Sequence, residues 1–254
     1  RNLDLLKILI KDKDVVIHLA AYVGFPICRL KGEKESYSVN TKATQQLVDI
    51  LQDDQYLLFG STGSNYGEVL GTCTEETPLN PLSIYGKTKT EAEKIVMTRE
   101  NSIAFRFATA FGISPRMRLD LLVNDLTYKA VTEGYAVIYE SHFLRTFIHV
   151  RDLAKSFVFA IDNQEKMKSN VYNVGSNTMN HTKREVCEII NKQIPEAYFH
   201  HADIQEDPDK RNYKVSYDKI NSLGFEVDVD LEAGIDEIKE SVALLENNLR
   251  YRNV

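Results

Sequence analysis

The chain has 254 residues, of which 43% are hydrophobic and 27% are charged, and its formal net charge is -6. This composition is typical of a soluble globular protein, and no apolar run approaches the roughly 18 residues that a membrane span needs. A negative net charge argues against a dedicated nucleic-acid binder. Two or three suitably positioned arginines nevertheless suffice to bind a small anionic ligand. We therefore expect a soluble protein with neither a membrane nor a nucleic acid as its partner.

The cysteines and histidines predict neither disulfides nor a metal site. Cys28, Cys73 and Cys187 lack paired or metal-type spacing, which favours reduced thiols and a cytoplasmic location. The adjacent His200 and His201 would point to opposite faces of a strand, so they are not expected to share a zinc ion.

The first half of the chain alternates short apolar segments with amphipathic ones. We predict a buried strand over 15–21, further strands over 56–59 and 103–107, and helices over 35–51 and 83–99. The first helix would bury a stripe that consists of Val39, Ala43, Leu47 and Ile50. Strands that alternate with helices are typical of a parallel α/β sheet.

After Gly112 the connections become longer and the predicted helices more polar. Helices are expected over 118–132, 152–161, 182–193 and 231–249, and strands over 136–139 and 171–174. The third of these helices would open on a capping box, with Thr182 at the N-cap and Glu185 three residues later. No repeat or low-complexity linker is present, so a second lobe would be built from returning segments.

Tyr85 and Lys89 are four residues apart, which places both on one face of a helix. A phenol with a pKa of about 10 is a poor base, but a neighbouring cation favours the tyrosinate. This spacing alone also occurs by chance on exposed helices. The preceding strand ends in Ser61 and Thr62, and ligands of parallel sheets bind at such carboxyl ends, where Thr62 and Tyr85 would reach the same substrate hydroxyl.

Several segments in order and spacing resemble the extended short-chain dehydrogenase/reductases called NAD-dependent epimerase/dehydratases. These segments are Asp14–Ala21, Asn40, Ser61–Thr62 with Tyr66–Gly67, Tyr85–Lys89 and Arg145–Val150. The resemblance covers nearly the whole chain. It implies a Rossmann-type doubly wound parallel α/β sheet over 1–112 and 146–174, and a smaller α/β substrate-binding lobe over 113–145 and 175–254.

The resemblance also implies roles for individual residues. The catalytic set would be Thr62, Tyr85 and Lys89. The cofactor, NAD by family habit with NADP left open, would contact Leu19, Ala20, Ala21, Asn40, Ser61, Tyr85, Lys89, Phe107 and Thr109. The diphosphate of a nucleotide sugar would meet Arg145 and Arg211, because guanidinium groups suit phosphate oxygens. Arg116 and Arg118 are further candidates, for which a surface role is an equal alternative.

The implied reaction starts with oxidation at C4 of a nucleotide-activated sugar, in the biosynthesis of surface-polysaccharide sugars. Sugar 4,6-dehydratases carry an Asp-Glu pair directly after the catalytic Thr, whereas Gly63 and Ser64 stand here. Dehydration is therefore disfavoured, which leaves a 4-epimerase or a 4-dehydrogenase. Segments 106–125 and 206–211 look most like the GDP-mannoheptose 4-dehydrogenases.

The glycine-rich phosphate turn of a dinucleotide fold should follow the first strand, and the printed sequence has no such turn. The sequence begins at what resembles the fourth strand, so two βα units of about 30 residues each are expected to be absent. A catalytically inactive binding or scaffold protein is the alternative of a different class. We expect a working enzyme, and the family resemblance implies a homodimer that pairs through the helices at 35–51 and 83–99.

Overall fold

The computed structural model describes residues 2–202 and 212–242. Its strands are β1 (Val15–His18), β2 (Tyr56–Thr62), β3 (Glu68–Cys73), β4 (Ser102–Phe107), β5 (Thr109–Phe111), β6 (Tyr135–Tyr139), β7 (Leu144–His149), β8 (Asn170–Val174), β9 (Asn180–Thr182), β10 (Tyr198–Ala202) and β11 (Asn212–Val215). Its helices are α1 (Leu3–Ile10), α2 (Phe25–Lys31), α3 (Glu33–Tyr37), α4 (Ala43–Ile50), α5 (Ile84–Val96), α6 (Leu122–Thr132), α7 (Val150–Asp162), α8 (Gln164–Met167), α9 (Lys183–Gln193), α10 (Asp218–Asn221) and α11 (Leu231–Ser241).

The central sheet consists of four parallel strands in the order β1-β2-β4-β8. Leu57, Leu58 and Phe59 of β2 are completely buried, as expected for a parallel strand that is covered on both faces. This sheet confirms the predicted parallel α/β architecture. Strand β2 continues to Thr62, which pairs with Phe107 of β4, so the predicted end at residue 59 was too early.

Strand β1 differs from the expectation of a fully buried strand over 15–21. It ends at His18, and only His18 is buried, whereas Ile17 is 43% exposed. Among the described strands β1 pairs with β2 alone, so its other edge carries no partner strand in the described part of the chain.

A second group of elements packs around its own apolar cluster. Strands β6 and β10 form a parallel pair, and β5, β7 and β9 form a three-stranded sheet. Helices α6, α9 and α11 contribute apolar side chains to one buried cluster with Phe111 and Phe147. Strands β3 and β11 pair separately. The division into two lobes with the boundaries given above stays a prediction.

The predicted helix over 35–51 is built from α3, a π-helical segment (Ser38–Lys42) and α4. The predicted apolar stripe is partly confirmed, because Leu47 is buried and Val39, Ala43 and Ile50 are half-buried. The other buried positions of these three segments, Ser36, Asn40, Thr41 and Thr44, are polar. Asn40 Nδ2 donates a hydrogen bond to Thr88 Oγ1 of α5, at 3.1 Å, and such partners compensate the burial of polar groups.

The remaining helices follow the sequence pattern with shifted ends. Thr182 and Glu185 form the predicted capping box of α9. Helix α5 ends at Val96 rather than at residue 99, and α6 begins at Leu122 rather than at residue 118. Helix α11 is described to Ser241, and the rest of its predicted range, from residue 243 on, lies outside the described residues. No helix among the described residues is long and apolar enough to cross a membrane.

Gly112 and Gly134 provide a matched pair for a test of the packing between β5 and β7. Both have positive φ, +103° and +73°, but a Cβ at Gly112 would overlap the buried ring of His149, while a Cβ at Gly134 would meet nothing within 4 Å. We expect Gly134→Ala to lower the free energy of unfolding by about 1 kcal/mol through backbone strain. Gly112→Ala adds an overlap in the core, so we expect a loss of about 3 kcal/mol. Urea unfolding of both variants measures the difference, and equal losses would contradict this packing.

Candidate active site

A cavity of about 230 Å³ lies at the carboxyl ends of β1, β2 and β4. The three predicted catalytic residues, Thr62, Tyr85 and Lys89, all line it. Thr62 comes from the end of β2, and the other two come from α5, whose first turn is capped by the hydroxyl of Ser83. The structure therefore brings together a hydroxyl, a phenol and an ammonium group that lie up to 27 residues apart in the sequence.

Lys89 is buried in the wall of this cavity, with 3% of the residue exposed. Its Nζ lies over the ring of Phe59, 3.8 Å from the ring centroid, in a cation–π contact. Within the described part of the chain no hydrogen bond satisfies the three donors of this ammonium. Burial lowers the pKa of Lys89 to about 7, and the carboxylate of Glu93 partly opposes that shift. The ammonium is therefore held beside the cavity with its donors available to a ligand.

His18, at the end of β1, lies next to this lysine. Its ring is 5.5 Å from the ring of Phe59, and its Nε2 is 2.9 Å from Thr44 Oγ1. Burial, and then the charge of Lys89, lower the pKa of His18 to about 4. The imidazole is therefore neutral near pH 7, whereas Lys89, with a pKa of about 7, is partly protonated at that pH.

The hydroxyls of Thr62 and Ser61 have different partners. Thr62 Oγ1 accepts a hydrogen bond from the backbone N–H of Ser64 at 3.1 Å, which leaves its own proton to donate elsewhere. Ser61 was predicted to contact the cofactor, but its hydroxyl donates to Glu93 Oε2 at 2.5 Å. The hydroxyl also accepts from Asn65 Nδ2 at 3.1 Å, so it is already hydrogen-bonded although Ser61 lines the cavity.

Glu93 and Arg106 form a buried ion pair that the sequence analysis missed. Arg106 Nη2 lies 2.7 Å from Glu93 Oε1, and both residues are less than 10% exposed. Arg106 also donates to Tyr66 Oη at 3.1 Å. Two features of the sequence could have indicated this pair. Glu93 follows Lys89 by one helical turn, and Arg106 interrupts an apolar strand.

Asn40 does not line the cavity but holds the segment that borders it. Its Oδ1 accepts from the backbone N–H of Tyr22 at 2.7 Å, and its Nδ2 donates to the carbonyl of Tyr22 at 3.1 Å. Three residues directly before Tyr22 were predicted to contact the cofactor. Two of them, Leu19 and Ala21, line the cavity. Ala20 lines a separate groove beside α1 instead.

The end of β4 and the start of β5 complete the wall. Phe107 and Thr109, both predicted to border the nicotinamide, line the cavity. A Cβ added at Gly63 would lie 3.1 Å from Tyr213 Oη and 3.4 Å from the carbonyl of Phe107. Tyr213 therefore fills the space in which a side chain at position 63 would sit.

The structure separates the four predicted substrate-binding arginines. Arg118 lines the cavity and pairs with Asp120, with Nη2 2.6 Å from Oδ2. Arg116 is exposed and does not line this cavity. Arg145 is buried on β7, outside the cavity wall, and its Nη1 donates to the carbonyl of Leu144 at 3.0 Å. Arg211 lies outside the described residues.

Neither a disulfide nor a metal cluster is found among the described side chains. Cys28, Cys73 and Cys187 are buried free thiols. No group of three or more His, Cys, Asp or Glu side chains in residues 2–202 and 212–242 is arranged to hold a metal ion.

Residues 1–175 match the sequence model of the NAD dependent epimerase/dehydratase family. The chain therefore belongs to the NAD dependent epimerase/dehydratase family, as its motifs suggested.

Similar proteins are named as sugar-nucleotide epimerases. The chain is 29% identical to an "Uncharacterized UDP-glucose epimerase YtcB" of Bacillus subtilis over 66% of this chain and 54% of that protein. It is 29% identical to a "UDP-glucose 4-epimerase" of Lactobacillus helveticus over 67% of this chain and 59% of that protein. The chain thus spans little more than half the length of these two curated relatives.

Solved structures confirm the Rossmann-type fold. "MoeE5 in complex with UDP-glucose and NAD" superimposes with a TM-score of 0.83 at 24% identity, over 97% of this chain and 85% of that one. UDP-glucuronic acid 4-epimerase from Bacillus cereus, solved with UDP-glucuronic acid and NAD, gives 0.83 at 23% identity, over 96% and 81%.

Replacing the ring beneath Lys89 tests the electrostatics of the site. Phe59→Leu removes a cation–π attraction of about 1–2 kcal/mol, so we expect the pKa of Lys89 to fall below its value of about 7. Carbon-13 NMR of lysine-labelled protein follows this titration, with the Lys89 signal assigned by its loss in Lys89→Met. Phe105→Leu, a substitution of a fully buried Phe on the neighbouring strand β4, is the matched control. A fall of equal size in both variants would count against the ring contact.

Proposed function

We propose that the protein is an NAD-dependent enzyme that oxidises the C4 hydroxyl of a nucleotide-activated sugar, as an epimerase or a dehydrogenase of surface-polysaccharide sugar biosynthesis. The observation that carries the proposal is the convergence of Thr62, Tyr85 and Lys89 on one cavity. The relatives named as UDP-glucose 4-epimerases and the neighbours solved with NAD and UDP-sugars support the same reaction class.

The residues at the cavity fit a nicotinamide cofactor. Lys89 offers a buried ammonium whose donors make no hydrogen bond within the described part of the chain, and hydroxyls of a ribose would satisfy such donors. Leu19, Ala21, Phe107 and Thr109 would provide the remaining walls of the site. NAD would supply the acceptor for the hydride that leaves C4. NADP is the alternative cofactor.

The chain's own groups would move the proton. Tyr85 is the proposed base, and the positive charge of Lys89, one turn further along α5, favours its tyrosinate form. Thr62 would hold the same sugar oxygen, since its Oγ1 already accepts from Ser64 and keeps a proton to donate. The base that accepts the proton of the C4 hydroxyl would thus come from α5, and the group that orients this hydroxyl would come from β2.

The residues after Thr62 bear on what happens to the C4 ketone. A 4,6-dehydration needs an acid beside the reacting sugar, and no carboxylate follows Thr62. An acidic side chain at position 63 would meet Tyr213 Oη, which lies 3.1 Å from the Cβ site. We therefore propose that the hydride returns to the sugar, as in a 4-epimerase, or that the ketosugar is released, as in a 4-dehydrogenase. The names of the relatives favour the first outcome.

Substrate recognition is proposed to rest on arginines. Arg118, held by Asp120 at the cavity wall, is placed to meet the sugar nucleotide. Arg145 is proposed to bind a phosphate together with Arg211, as the family resemblance implies, and Arg116 stays a weaker candidate.

The proposed assembly is a homodimer in the cytoplasm. Leu30, Tyr37 and Leu82, which lie on or beside the helices expected at the interface, are 70%, 39% and 48% exposed. Light scattering coupled to size-exclusion chromatography tests this assembly, and a monomer at micromolar concentration would contradict it.

The decisive experiment incubates the purified protein with NAD and with UDP- and GDP-sugars. Nicotinamide absorbance and sugar stereochemistry are followed together. Altered stereochemistry at C4 without net NADH identifies an epimerase, and net NADH with a ketosugar identifies a dehydrogenase. If the protein neither binds NAD nor turns over any of these sugars, the proposal fails and a binding or scaffold role takes its place.

Tyr85→Phe removes the proposed base while it preserves the packing of α5. We expect turnover to fall by about 100-fold to 10,000-fold, since general base catalysis contributes about that much, while sugar-nucleotide binding is retained. Steady-state kinetics and calorimetry measure the two effects. Tyr135→Phe, at an exposed position outside the site and the proposed interface, is the control. Near-normal turnover of Tyr85→Phe would remove Tyr85 from the catalytic set.

A further inference from the structure

Glu93 is a buried carboxylate on the same face of α5 as Lys89. It is 3% exposed, yet it is well satisfied. Its Oε2 accepts from Ser61 Oγ at 2.5 Å and from Asn65 Nδ2 at 3.0 Å, and Arg106 donates to both carboxylate oxygens. A carboxylate is retained in the interior only when it is paired and hydrogen-bonded in this way.

These contacts bracket the proposed catalytic threonine. Ser61 directly precedes Thr62, and Asn65 follows it by three residues. One carboxylate on α5 therefore holds the chain on both sides of Thr62. Because α5 also carries Tyr85, the same contacts fix the distance between the hydroxyl of Thr62 and the phenol. An error of about 1 Å in such a distance is enough to slow a reaction a hundredfold.

The backbone reinforces this arrangement from the next strand. Ser61 of β2 is paired in register with Arg106 of β4, the cationic partner of Glu93. Ser61, Glu93 and Arg106 thus form a closed set of contacts in which each residue comes from a different element. Neither the strand end nor the helix can shift without breaking a buried, charge-assisted hydrogen bond.

Glu93 also interacts electrostatically with Lys89. The two residues are one turn apart on α5, both are buried, and the negative charge of Glu93 favours the ammonium form of Lys89 against the effect of burial. Among the described residues His18 of β1 also interacts electrostatically with Lys89, and Tyr85 lies one turn before Lys89 on α5. Since His18 is neutral near pH 7, it supplies no opposing charge.

We propose that Glu93 is a positioning residue for the proposed reaction: it holds the strand end that bears Thr62 against the helix that bears Tyr85, and it is the counter-charge of the Lys89 ammonium. This inference rests on the proposed function. Glu93 does not line the cavity, so it would act on the reaction through Ser61 and Lys89, which do.

The first test is a kinetic double-mutant cycle of Ser61→Ala and Glu93→Gln. We expect Ser61→Ala, which leaves the ion pair intact, to lower kcat about tenfold to a hundredfold with little change in the KM of the sugar nucleotide. In the Glu93→Gln background the same substitution should have a smaller effect, because a neutral amide oxygen accepts from Ser61 more weakly than a carboxylate does. Glu91→Gln, two residues away at an exposed position of α5, is the matched control and should keep wild-type kinetics.

An unchanged kcat in Ser61→Ala, or effects of the two substitutions that multiply independently, would overturn the positioning role. Glu93→Gln leaves Arg106 without its charged partner, so circular dichroism must show that this variant is folded. If it is unfolded, Ser61→Ala alone decides the positioning role, since its charges are all paired.

The second test needs neither cofactor nor substrate. Carbon-13 NMR follows the titration of Lys89 in Glu93→Gln and in the control Glu91→Gln. Loss of the counter-charge disfavours the ammonium, so Lys89 should release its proton at lower pH than the wild type only in Glu93→Gln. An unchanged titration in folded Glu93→Gln overturns the counter-charge role. If the wild type fails to turn over sugars, the proposed function fails, and this titration still decides the electrostatic role of Glu93.

Discussion

The site depends on how α5 packs against β2. A helix that covers a parallel sheet normally buries an apolar stripe. Here Ala92 and Val96 provide such a stripe, but Lys89 and Glu93 are buried with them. Two ionised groups can remain in this interface only because each has a compensating partner: the ring of Phe59 for the ammonium and Arg106 for the carboxylate. The packing of α5 against the sheet therefore depends on the same contacts that set the charge state of the site.

The strongest predictions from the sequence were those based on long apolar runs and on local capping. Strands β2 and β4 are continuous apolar segments and were found with small shifts, and the capping box of α9 depends on two residues only three positions apart. The polar residues on the buried face of α3, the π-helical segment and α4 were not predicted, because hydrophobic periodicity assigns polar residues to solvent. Asn40 is buried there because Tyr22 and Thr88, distant in the sequence, provide its hydrogen bonds.

The motif predicted three neighbouring cavity residues after β1, and two of them line the cavity. Leu19 and Ala21 line the cavity whereas Ala20 lines the groove beside α1, a difference that a motif match does not reveal. The ion pair was not predictable in the same way. The position of Glu93 one turn after Lys89 and of Arg106 within an apolar strand marks each residue as unusual, but only the register between β2 and β4 brings Arg106 next to Ser61.

The alternation of side chains along β2 explains how the end of this strand provides both an anchoring residue and a proposed reacting residue. Successive side chains of a strand point to opposite faces, so Ser61 and Thr62 cannot both face α5 in the same way. Ser61 Oγ binds Glu93, which anchors the strand to the helix, while Thr62 Oγ1 is directed into the turn at Ser64 beside the cavity. The anchoring residue and the proposed reacting residue are therefore adjacent in sequence. An insertion or a change of register at this point would exchange their directions and would lose both the anchor and the catalytic hydroxyl at once.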